Sequence, residues 1–96
     1  MYIYILTNPS HSVLYIGMTN DLERRLYEHS QQLGNWGKFT GRYQCNLLVY
    51  FEVCADATQA IAREKELKRW RREKKEALIA TLNPRWQSID LRTWVG

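Results

Sequence analysis

The sequence predicts an α+β fold, with three short strands, the first two in a hairpin, and helices packed against them. Three observations point there. Two Tyr/Ile-rich runs, "YIYIL" at 2–6 and "LYIG" at 14–17, flank the turn signal "NPSH". A third β-prone run, "NLLVYFEV", occupies 46–53. The remaining chain holds capped stretches with apolar residues at helical spacing. At 96 residues, 45% hydrophobic and 25% charged, the chain suits one domain, residues 1–96, with a modest core.

The first two strands span 2–6 and 13–17. If Tyr4 faces Tyr15, residues 8–11 form a four-residue hairpin loop. Ile3, Ile5, Leu14 and Ile16 then share one face, and Tyr2, Tyr4, Tyr15 and Gly17 the other. The aliphatic face is core. The tyrosine face is either a second packing surface or the floor of a site.

A helix over about 21–33 follows, with Asn20 as N-cap, Glu23 completing a capping box and Gly34 as its stop. Leu22, Leu26 and Leu33 supply its buried side, while Arg25 and His29 stack one turn apart on another face. The loop "GNWGKFTGRYQ", 34–44, interleaves Trp36, Phe39 and Tyr43 with Lys38 and Arg42. Such aromatics either stack bases beside phosphate-holding cations or tuck into the core.

Asp56, with Gln59 three residues on, caps a second helix whose apolar stripe runs Ala60, Ile61, Leu67 and Trp70. Glu64 falls inside that stripe. A carboxylate among buried positions is costly unless a cation compensates it, and Lys68 is the plainest partner. Arg71 to Glu76 are all charged, which predicts a break before a short helix resumes at Ala77, Leu78 and Leu82. Asn83-Pro84 ends it, and Trp86, Ile89, Leu91 and Trp94 pack the tail across the domain.

Net charge is +4, unevenly spread. Residues 1–62 hold four Lys/Arg and five Asp/Glu; residues 63–96 hold ten and five. Eight of those ten basic residues, including Lys68, Arg69, Arg71, Arg72, Lys74 and Lys75, crowd into "REKELKRWRREKK" at 63–75. Such a patch is either a polyanion-binding surface or a solvated helix face laced with i,i+4 pairs. Cys45 and Cys54 have no metal-binding spacing and sit at opposite ends of one strand, as reduced structural thiols would. The apolar run MYIYIL stops at Thr7, so neither a membrane span nor a secretory segment is expected, and the cytoplasm is the default location.

"YIYIL" and "LYIG", with ten residues between Tyr4 and Tyr15, followed by Arg25, His29 and Glu64, resemble the GIY-YIG nuclease superfamily. The likeness is to its small, single-domain bacterial members and runs from Tyr2 to about Trp86. It implies a three-stranded antiparallel sheet flanked by helices. It also implies that Tyr4 and Tyr15 are the motif tyrosines, that Arg25 and His29 are the helix residues, and that Glu64 binds the metal. Two positions depart from the family pattern: Tyr2 stands at the first-motif glycine, and "PRWQ" puts Gln87 where an asparagine is common.

The resemblance implies a divalent-metal-dependent endonuclease that hydrolyses phosphodiester bonds, most simply in single-stranded or branched DNA. One Mg²⁺ or Mn²⁺ held by Glu64 and waters would act as Lewis acid. Arg25 would clamp a phosphate bidentately. Tyr15 is the candidate general base, His29 a proton relay, and Tyr4 a hydrogen-bonding partner of water or phosphate. Lys38, Arg42 and the 63–75 cluster would hold nucleic acid. The alternative is a module of the same fold that binds nucleic acid without cutting it.

Overall fold

The computed structural model describes residues 1–31 and 47–93, the side chains of 29–31 excepted. Strands β1 (Tyr2–Thr7), β2 (Leu14–Thr19) and β3 (Leu47–Val53) form one antiparallel sheet in the order β2-β1-β3. Helix α1 (Leu22–Gln31) follows the hairpin; α2 (Ala57–Arg69) and α3 (Arg72–Leu82) follow β3. The aromatic loop 34–44, with Lys38 and Arg42, lies outside the described residues, as do Cys45 and Trp94.

The hairpin register differs from the predicted one by two residues. Tyr4 faces Gly17, and Leu6 faces Tyr15. The connection is correspondingly longer, residues 8–13, and Asn8 organises it. Its Oδ1 accepts from the Ser12 and Val13 amides at 2.9 and 3.1 Å, and its Nδ2 donates to Ser12 Oγ at 2.8 Å. A shift of two leaves every side chain on its face. Ile3, Ile5 and Ile16 accordingly enter one core with Ala60, Leu67 and Ile79 from α2 and α3. Tyr4 and Leu6 enter a second with Leu22 from α1 and Ile89 from the tail, and Tyr15 packs half-buried against it. The tyrosine face is thus a packing surface that buries Tyr4 and leaves Tyr2 and Tyr15 half-buried.

Strand β3 carries a bulge between the partners of Ile5 and Leu6, where Val49 is the extra residue. Buried Asn83 donates to the Val49 carbonyl at 3.1 Å, and the Ile89 amide donates to the Leu48 carbonyl at 2.8 Å. The bulge therefore anchors the tail.

Several local expectations shift. Asp21, not Asn20, caps α1, because its carboxylate accepts from the Arg24 amide at 3.1 Å. Asp56 caps α2 through the Gln59 amide at 2.9 Å, as expected. Ile61 is 42% exposed; Ala60 and Leu67 carry the buried stripe, and Glu64 lies on it between them. The helix break falls at Trp70–Arg71, both extended, so most of the charged run is helical, in the first turns of α3. Ile79 anchors α3 to the core, whereas Ala77 is exposed. Cys54 is a buried free thiol.

Candidate active site

Tyr4 is fully buried at the centre of β1, and its ring lies across the hairpin over Gly17. A Cβ at position 17 would overlap the phenol Oη and Cζ. The absent side chain is what lets the phenol reach across toward the β2 edge. There Tyr15 meets it, with ring centroids 6.3 Å apart and planes tilted by 37°.

Two helices on opposite faces converge on this edge. On the tyrosine face, the packing of Leu22 and Leu26 orients α1 so that the Arg25 charge acts on the Tyr4 phenol. On the other face, α2 packs on β2 and β1, and the charge of Glu64 acts on the same phenol. Burial, foremost, and then Tyr15 hold the Tyr4 hydroxyl well above the usual phenol range, while Arg25 opposes them. Tyr4 is therefore a persistent O–H donor.

Arg25 is half-buried, and its Nε is wholly buried without a hydrogen-bond partner among the described residues. The nearest carboxylate, Glu28, stands off at 3.6 Å. A buried, charged donor of this kind is normally satisfied, and a phosphate oxygen is a fitting acceptor. The Glu64 side chain is 23% exposed and loosely paired with Lys68 at 3.8 Å. One such carboxylate at a wet boundary fits Mg²⁺, which keeps several waters and takes one or two carboxylates. Among the described residues no group of three or more His, Cys, Asp or Glu could hold a metal. His29 lies on α1 one turn beyond Arg25, with its side chain outside the described part.

The basic cluster divides by role. Arg63 is committed to structure, donating to Glu52 at 3.0 Å and Glu66 at 2.6 Å while lying 5.2 Å from the Trp70 ring centre. Lys74 caps the same ring at 4.2 Å. Arg72 straps α3 to the hairpin loop, donating to the His11 and Ser12 carbonyls at 2.6 and 2.8 Å and to Glu76 at 2.8 Å. Sequence reasoning missed that strap, since nothing in a charge run marks which cation meets a distant carbonyl. Lys68, Arg69 and Arg71 are exposed and Lys75 half-buried. The Gln87 side chain is exposed; only its backbone is held, by Asn83.

No helix among the described residues is long and apolar enough to cross a membrane. Residues 1–77 match the GIY-YIG catalytic domain family. A UPF0213 protein of Haloquadratum walsbyi is 40% identical over 77 residues, covering 80% of this chain and 83% of that protein. One from Bacillus pumilus is 37% identical, covering 81% and 76%. The solution NMR structure of a UPF0213 protein from Bacillus halodurans superposes with a TM-score of 0.55 at 32% identity, covering 91% of this chain and 89% of that one.

Proposed function

The chain belongs to the GIY-YIG family, and from that premise we propose that it is a divalent-metal-dependent endonuclease acting on DNA, with single-stranded or branched substrates preferred. The observation that carries this reading is the convergence of Tyr4, Arg25 and Glu64 on one edge of the sheet, beside the half-buried Tyr15. Arg25 receives the scissile phosphate: its buried, unsatisfied Nε gains an oxygen partner, and its planar fork fixes the phosphorus for in-line attack. Tyr4, kept protonated by its burial, donates a hydrogen bond toward the phosphate or the attacking water. Tyr15 takes a proton from that water as general base while its own phenolic proton passes to His29, and the bond from phosphorus to the leaving oxygen breaks opposite the incoming water. Glu64 would hold one Mg²⁺ or Mn²⁺, which supplies Lewis-acid stabilisation of the charge building on the phosphate oxygens. Lys68, Arg69, Arg71 and Lys75, with Lys38 and Arg42, attract the polyanion.

The test is direct. Purified protein incubated with labelled single-stranded, duplex and branched oligonucleotides should cut with Mg²⁺ or Mn²⁺ and not with chelator. Binding without cutting of any substrate would replace this reading with the non-catalytic one.

A further inference from the structure

A second place on the molecule has the makings of a ligand site. An open cleft of about 410 Å³ lies between the hairpin loop and the turn after α3, lined by His11, Arg72, Glu76, Pro84, Arg85 and Trp86. Its volume falls in the ~300–1,000 Å³ range of small-molecule pockets. The His11 and Trp86 rings meet there, centroids 5.3 Å apart and tilted by 37°, and both residues are only half-buried. They are also the two non-glycine residues with positive φ among those described, at 58° and 54°. Left-handed backbone is unfavourable for side chains of this size, and such strain persists only where surroundings enforce it.

The surroundings do enforce it. Arg72 grips the carbonyls of His11 and Ser12, and Asn83 brackets Trp86, accepting from the Trp86 amide at 3.1 Å and bonding both backbone groups of Gln87. Two enforced left-handed residues thus hold two half-buried aromatic rings together at the surface, with Trp86 also packed against the edge of the core. Arg85 is exposed beside them, and the single acid, Glu76, is already neutralised by Arg72. A half-exposed aromatic pair next to an available guanidinium matches a nucleobase and its phosphate.

We propose that the His11–Trp86 cleft is a subsite for one unpaired nucleobase of a single-stranded nucleic acid, with Arg85 on the adjoining phosphate; this rests on the nucleic-acid reading above. His11 and Tyr15 are four residues apart, so their Cα atoms lie within about 14 Å. The two places thus share one hairpin.

The test uses a short single-stranded oligodeoxynucleotide carrying one photoreactive iodo-deoxyuridine, with chelator present so that nothing is cut. Irradiation should crosslink it to His11 or Trp86, located by mass spectrometry. His11→Gly relieves the backbone strain while removing the ring, so the variant should fold at least as well yet bind about tenfold more weakly or worse. Arg85→Gln, at an exposed position, should also weaken binding and flatten its salt dependence. Absence of crosslinks at both rings, or unchanged affinity in both variants, overturns the subsite. A protein that crosslinks there but never cuts with metal supports the subsite and overturns only the nuclease reading.

Discussion

Tyr4 and Gly17 face each other across the hairpin, and the phenol fills the space that a side chain at position 17 would need. The glycine is thus part of the site although it carries no functional group. Gly17→Ala must displace the Tyr4 ring, costing about 1–3 kcal/mol as overpacking does. Denaturant unfolding should register that loss. Cleavage, measured where the variant is still folded, should fall about tenfold or more, because the Tyr4 ring beside Tyr15 has moved.

Arg25→Lys keeps the charge and removes the planar fork. Loss of a charge-assisted hydrogen bond to phosphate is worth about 1.5–3 kcal/mol, which predicts roughly a ten- to hundredfold fall in kcat/KM. Stability should change by less than about 1 kcal/mol, since among the described residues the carboxylate paired with Nε is the half-exposed Glu28 at 3.6 Å. A Lys variant that cuts at the wild-type rate would show that Arg25 acts as a simple point charge.

How much of this was legible in the sequence depended on the range of the interactions involved. Side-chain alternation placed Ile3, Ile5 and Ile16 opposite Tyr2, Tyr4 and Tyr15, and that division survived a two-residue error in register because parity alone governs it. Glu64 stood out because a carboxylate interrupted an apolar stripe. The actual register needed the six-residue loop that Asn8 closes, a side-chain network with no periodic signature. The division of labour in the basic run was equally hidden: Arg72 meets carbonyls 60 residues away or more, and Arg63 meets Glu52 on another element. Asn83 read as a helix terminator, which it is, but its burial under the β3 bulge depends on tertiary structure.

The basic surface predicts a salt effect from specific residues. Neutralising exposed Arg69 and Arg71 together with Lys75, while keeping Arg72, should weaken DNA binding about equally for all sequences. It should also reduce the slope of log affinity against log salt by about 2, given ~0.7 per contact on single strands. An unchanged slope would mean these cations only solvate the helices.

Two phenols contribute to stability at alkaline pH. Burial, followed by Tyr15, raises the Tyr4 hydroxyl, and burial, followed by Glu52, raises that of Tyr50. In both cases the folded state keeps a proton that the unfolded chain releases near pH 10. Stability is therefore intact below about pH 10 and declines as pH rises above it. Tyrosinate absorbance should appear together with unfolding for these two groups, and Tyr4→Phe should make the decline shallower.

The carboxylate of Glu64 is the group on which metal-dependent cleavage would rest. Glu64→Gln keeps the side-chain shape and removes the charge; its partner Lys68 is exposed and 3.8 Å away, so the fold should persist within about 1 kcal/mol. The decisive measurement is cleavage and binding of one labelled oligonucleotide by wild type and variant across a Mg²⁺ series. Cleavage should fall by orders of magnitude at every Mg²⁺ concentration, as expected when several kcal/mol of transition-state stabilisation are lost, while binding is retained or strengthened. A variant that cuts at nearly the wild-type rate would remove Glu64 from the chemistry and contradict the account.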